Sequence, residues 1–168
     1  MTATRLFKTT MPTVSVDDVS YAAAVYVARR MRASDVEEIE PLISSAEDLA
    51  LRASLSAYGK VASFNGKPVS VFGASETVPS CWQVFMFATD DWSLVSGTVT
   101  KHIKRTMSRY LYDMGANRLE CRALDTHTDA HAWLKFLGAK KESEIEEYGA
   151  NARTYFMFRW LRSEYQEK

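Results

Sequence analysis

The spacing of apolar and polar positions divides the chain into short elements. Residues 24–30 (AVYVARR) make a brief β-branched and aromatic run, which predicts a first strand. In residues 34–39, Ser34 or Asp35 is placed to cap a helix, and Glu37 or Glu38 to complement its dipole. A second helix is predicted over 46–57, with Leu49, Leu51 and Leu55 as candidate inward residues and Gly59 ending it. The hairpin signal is the sharpest: residues 61–64 and 69–72 flank Asn65-Gly66, the pair that a type I′ turn demands. Pro68 donates no ladder hydrogen bond and so belongs at the strand start or faces away from a partner. Residues 82–88 (WQVFMFA) are almost wholly apolar, as in a strand covered on both faces.

A polar loop over 89–97 leads into a long amphipathic helix from Thr98. Val99, Ile103, Met107, Leu111 and Met114 recur at helical spacing, Lys101, Lys104, Arg105 and Arg109 lie elsewhere on its surface, and Gly115 closes it. A strand over 118–123, a helix over 129–137 stopped by Gly138, and two strands over 141–147 and 153–160 complete the chain. The order is β-α-α-β-β-β-α-β-α-β-β, an α/β (α+β) class with a mostly antiparallel sheet flanked by helices. Residues 1–24 lack a clear period in their polar, threonine-rich first part and read as an arm; residues 25–168 read as one domain.

Composition narrows the function. The 21 basic and 21 acidic side chains cancel, so there is no general attraction to nucleic acid. No apolar run reaches the roughly 20 residues of a membrane helix, and the N-terminus lacks a secretory signal's apolar centre. Cys81 and Cys121 are far apart, which supports neither a disulfide framework nor a structural zinc site. His127 and His131 have i, i+4 spacing without an adjacent glutamate in the HExxH manner, so no metal site is expected. The acidic run Glu142, Glu144, Glu146 and Glu147 opposes the basic helix and suggests head-to-tail contact between copies, a possible homo-oligomer.

The element order, the Asn65-Gly66 hairpin and the segment from Trp82 through the helix at Thr98 resemble the GCN5-related N-acetyltransferase (GNAT) superfamily over residues 25–160. Residues 127–139 resemble that family's Asn-x-x-Ala-(six residues)-Leu-Gly-Phe segment, with Ala130, Leu137 and Gly138 matching. A narrower likeness runs through Cys81-Trp82, Trp92, Leu94, Ser96-Gly97, the basic helix, Leu134-Lys135 and Gly138-Ala139. It resembles the small internal virion proteins of short-tailed phages, whose fold is GNAT-like and which are linked to virion assembly.

The resemblance implies a coenzyme A pyrophosphate held by backbone amides in an Arg/Gln-x-x-Gly-x-Gly/Ala loop. Here that stretch is Leu94 to Val99: Gly97 matches, Leu94 and Val99 depart, and the expected contacts are Ser96, Gly97 and Thr98, with Val99 crowding the phosphate and Ser96 a plain helix cap on the other reading. The tyrosine that protonates the departing thiolate in the family is Leu134 here. His127 replaces the asparagine, as hydrogen-bond donor or as a polar turn residue. Asp90 and Asp91, at the end of the strand carrying the reaction centre, are candidate bases, with Glu120 and Asp125 as further carboxylates. Trp92 either plugs the coenzyme cleft or marks a contact surface.

Two readings follow. The favoured one is a virion-associated or assembly protein of a phage, in the virion or the host cytoplasm, docking on other virion proteins through residues 1–24. The alternative is an acetyl-CoA-dependent N-acyltransferase acting on an unidentified amine, with acetyl-CoA as its cofactor.

Overall fold

At the Asn65-Gly66 turn both residues adopt positive φ, 49° and 79°, and the flanking segments zip into β2 (Tyr58–Phe64) and β3 (Lys67–Val78). The type I′ expectation is met because these two residues tolerate the left-handed region, and that twist matches the strands. The computed structural model describes residues 11–165. Around the hairpin grows a seven-stranded sheet in the order β1-β2-β3-β4-β5-β7-β6. Its other strands are β1 (Val14–Asp18), β4 (Cys81–Ala88), β5 (Arg118–Leu124), β6 (Lys140–Tyr148) and β7 (Arg153–Leu161). Every pairing is antiparallel except β4 with β5.

The first strand lies elsewhere than the run at 24–30 suggests. That run belongs to helix α1 (Tyr21–Ala28), capped by the Ser20 hydroxyl, which accepts from the Ala23 amide. Ala24, Val27 and Ala28 recur at i, i+3, i+4 and are almost wholly buried. The β-branched character of Val25 and Val27 is thus overridden by packing against the sheet. The true first strand, β1, lies inside the stretch read as an arm. It pairs along the edge of β2, so the structured body begins well before residue 25; residues 1–10 of that arm lie outside the described residues.

Helix α2 (Ala33–Ile39) starts at Arg32 without a side-chain cap, so neither Ser34 nor Asp35 caps it. Helix α3 (Ala46–Ser54), capped by Ser45, ends before Gly59, which sits in β2. It buries Ala50 and Ala53 and leaves Leu51 and Leu55 exposed, because its inner face must lie close to α1 and only small residues permit that approach.

The basic helix runs as α4 (Ser96–His102), a π-helical turn (Ile103–Met107) and α5 (Ser108–Asp113). The π turn explains the apolar pattern. Val99, Ile103, Met107 and Leu111 are spaced by four, more than the 3.6 of an α-helix, and the wider turn keeps them on one face. Met114, beyond the helix, is exposed. Helix α6 is Thr128–Phe136. Lys101, Lys104, Arg105 and Arg109 are all exposed. Helices α1 and α3 cover one face of the sheet through Val61, Val71 and Phe87; α4, α5 and α6 cover the other through Phe72, Trp82, Leu119 and Phe158. Among the described residues, no helix is long and apolar enough to cross a membrane.

Candidate functional site

The one parallel pairing is short. β4 and β5 are in register only from Cys81–Arg118 to Gln83–Glu120, and then the strands diverge. β4 continues to Ala88 and β5 to Leu124, so a wedge opens between them.

Helix α2 spans its wide end. The Asp35 carboxylate accepts the Ala88 amide at 2.8 Å, and the Ala88 carbonyl accepts the Arg32 amide at 2.9 Å. One turn later, Glu38 Oε2 accepts the Leu124 amide at 2.7 Å. The Leu124 carbonyl takes a hydrogen bond from His131 Nε2 at 2.8 Å. Two carboxylates at i, i+3 thus hold the ends of two diverging strands, using the neighbouring positions of one helix face.

These bonds fix which backbone groups face the wedge. Ala88 and Leu124 spend both N–H and C=O away from β3 and β7. Backbone groups alternate between edges along a strand, so those of Met86 and Arg122, two residues back, also point into the wedge. Neither is in register with the facing strand, since the ladder between β4 and β5 stops at Gln83 and Glu120 among the described residues. Backbone groups at a strand edge without a facing strand are free to pair with a ligand that carries its own donors and acceptors.

On the α4–α6 face, Trp133 packs against the core clusters on both sides of the wedge. Its Nε1–H donates to Thr100 Oγ1 at 2.9 Å, and its ring meets Trp92 edge-on at 5.5 Å. The Arg32 guanidinium lies 5.6 Å from the Trp92 ring centre. Trp92 is therefore part of the packing between α4, α6 and the α2 entry.

Beside the wedge, the helix running from Ser96 presents its first amides. Val95 is its N-cap, with no side-chain cap bond, and Ser96 Oγ donates to the Ser93 carbonyl at 3.4 Å, so Ser96 is not the cap. The amides of Ser96, Gly97 and Thr98 have no acceptor among the described residues. A Cβ on Gly97 would meet nothing within 4 Å, so this end is open. Val99 is fully buried in the core and does not crowd the space in front of these amides. Unpaired amides at a helix N-terminus bind phosphate groups. The residues present therefore fit a pyrophosphate here and an extended amide-bearing arm in the wedge.

The other sequence candidates are dispersed. Asp90 and Asp91 lie in a 3₁₀ turn (Asp90–Leu94) capped by Thr89. Asp90 is exposed, and Asp91 pairs with Lys67 at 3.0 Å on the surface. Glu120 is tied to Arg118 at 2.7 Å, and Asp125 stands 3.8 Å from Arg153. Leu134 is buried with Cys121, Ala123 and Phe158 and offers no proton.

His127 lies beside the wedge, joined through Glu38 to the end of β5. It precedes α6 and is buried, at 9% exposure for the residue. Nδ1–H donates to Glu38 Oε2 at 2.9 Å, the oxygen that also holds Leu124. That bond holds the imidazole pKa above its usual 6.5, against the opposing effect of burial. His131 turns to the Leu124 carbonyl, so the two histidines do not converge. Asp35 and Glu38 were missed because their role depends on where two strands end, which no local sequence pattern encodes.

No family model matches the chain, and no curated protein matches it. Solved structures do. A GNAT-family acetyltransferase from Bacillus anthracis matches with a TM-score of 0.68 at 12% identity, covering 90% of this chain and 96% of that one. The ribosomal-protein-S18-alanine N-acetyltransferase from Escherichia coli matches with a TM-score of 0.66 at 16% identity, covering 94% and 98%. An aminoglycoside acetyltransferase, AAC(6')-Ib, in complex with coenzyme A matches with a TM-score of 0.64 at 13% identity, covering 90% and 96%. At such identities the likeness establishes the fold: the chain has the GNAT acetyltransferase fold.

Proposed function

We propose that the protein is an acyl-CoA-dependent N-acyltransferase. The observation that carries this reading is the wedge between β4 and β5, with the Met86 and Arg122 backbone groups outside the ladder and the free amides of Ser96, Gly97 and Thr98 beside it. The amides would hold the pyrophosphate, and the wedge edges would pair with the amides of the coenzyme arm. Bound acetyl-CoA supplies an activated acyl thioester. A similar fold solved with coenzyme A supports the reading.

Calorimetric titration with acetyl-CoA tests it, using wild type and Gly97→Asp. The open space at Gly97 accepts the side chain, and an acidic residue in a first helical turn stabilises the helix. The same carboxylate repels phosphate, so affinity should fall at least about tenfold, or roughly 1.4 kcal/mol, while the melting temperature holds or rises. Absence of saturable binding by the wild type, or equal binding by both proteins, would overturn the reading.

A second reading rests on Leu134, whose apolar side chain leaves the thiolate without the acid expected of the family. On that reading the fold serves as a phage virion or assembly protein without chemistry. Its test is co-purification with particles.

A further inference from the structure

Resting on the acyltransferase reading, we propose that His127 is the catalytic base, held by Glu38 as positioning residue, and that the substrate is a cationic amine whose reactive end enters the cavity between α2 and the start of α6. That cavity measures about 160 Å³ and is lined by Ser34, Glu37, Thr126, His127, Thr128 and Asp129. Ligand sites that enclose whole small molecules usually measure roughly 300–1,000 Å³, so this one takes the tip of a longer molecule, such as an alkylammonium chain or a lysine side chain.

The geometry assigns the proton. Glu38 Oε2 accepts from His127 Nδ1, which fixes the neutral tautomer with Nδ1–H and leaves the Nε2 lone pair free. Nε2 has no hydrogen-bond partner among the described residues, although the side chain is only 8% exposed. A buried imidazole with one nitrogen anchored to a carboxylate and the other without a partner, in a residue that lines a cavity, has the arrangement of a general base. Glu38 is itself doubly held, by the Leu124 amide on its carboxylate and by the Tyr155 hydroxyl donating to its carbonyl at 2.7 Å.

The charge around this cavity selects the substrate. From α2 come Asp35, Glu37 and Glu38, with Arg32 just before it; from α6 comes Asp129, and from β7 Arg153. Arg153 is taken up by Glu37 at 3.0 Å and lies 3.8 Å from Asp125, while Arg32 is taken up by Asp35 at 2.9 Å. Carboxylates outnumber guanidiniums, and Asp129 has no ion-pair partner among the described residues. An ammonium is attracted and a carboxylate or phosphate ester is not.

In the reaction, the ammonium gives one proton to His127 Nε2. The freed amine attacks the thioester carbonyl, the C–N bond forms and the C–S bond breaks. The second amine proton ends on the departing thiolate, and His127 returns its proton to water.

The test combines nuclear magnetic resonance of the His127 ring with kinetics of acetyl-CoA turnover, using 1,4-diaminobutane as the probe and 1-butanol as the uncharged control. The ring resonance should titrate above pH 6.5, move to lower pH in Glu38→Gln, and shift on adding the diamine but not the alcohol. His127→Gln should lower kcat/KM by about 10²–10⁴-fold while acetyl-CoA affinity stays within twofold. The low-pH limb of the wild-type profile should track the resonance, and Glu38→Gln should shift that limb with it. A ring resonance that ignores the diamine, or a His127→Gln enzyme with the wild-type rate and pH profile, overturns the proposal. Loss of acetyl-CoA binding by the wild type itself overturns the acyltransferase reading instead, and the ring titration still reports on the amine site.

Discussion

Replacing Asp35 probes what holds α2 across the wide end of the wedge. Asp35 is 2% exposed; one carboxylate oxygen accepts the Ala88 amide at 2.8 Å and the other the Arg32 guanidinium at 2.9 Å. Asp35→Ala leaves a buried amide at the end of β4 without an acceptor, at about 1–3 kcal/mol, and frees a guanidinium that is 20% exposed and can partly rehydrate. The sum is about 2–4 kcal/mol, a sizeable part of the roughly 5–15 kcal/mol that holds a domain together. For a chain of this size each kcal/mol moves the melting temperature by about 2–4 °C, so a fall of about 4–16 °C is expected in scanning calorimetry.

The pH dependence supplies a second readout. Burial raises the Asp35 pKa above 3.8, opposed by Arg32 and the Ala88 amide. A raised carboxyl pKa means that the folded state binds the proton more tightly than the unfolded state. The associated stability is fully present below pH 3.8 and is lost as pH rises through the folded value. Asp35→Asn cannot ionise, so wild type should lose stability relative to this variant as pH climbs through that window. A melting temperature of Asp35→Ala within 1 °C of wild type refutes the view that α2 is tied to β4 through Asp35, and a wild type that gains stability over Asp35→Asn as pH rises refutes the raised pKa.

Two further outcomes are expected. Trp133→Phe removes the bond to Thr100 Oγ1 and should cost about 1 kcal/mol by denaturant titration; because Trp133 packs against both sides of the wedge, acetyl-CoA should change tryptophan emission in the wild type more than in this variant. Burial pushes the Cys121 thiol up to about 12, so native protein at pH 8 should show one thiol reactive toward a disulfide reagent, Cys81, and the second only on unfolding.

Much of the frame is set by local chemistry. Asn65-Gly66 dictates its turn because few other pairs accept positive φ twice in succession, and Gly138, at φ 92°, ends α6 for the same reason. The four-residue spacing from Val99 to Leu111 marks a long helix, and the alternation in residues 118–123 marks β5. The start of a helix near Ser96, Gly97 and Thr98 was legible as well, although their open amides are visible only in the structure.

Tertiary structure alone decided the rest. Residues 24–30 have strand-forming side chains, yet Ser20 caps them as a helix and the sheet buries Ala24, Val27 and Ala28; residues 14–18, polar and weakly patterned, become a strand because an edge strand needs only one hydrogen-bonded neighbour and one covered face. Asp90 and Asp91 follow the strand in sequence but turn to the surface, whereas Glu38 and His127, 89 residues apart, meet at 2.9 Å because β5 ends where α2 crosses it. A sequence specifies which residues can donate or accept a proton. Which of them share a cavity is fixed by where strands stop pairing, and that depends on contacts between distant segments.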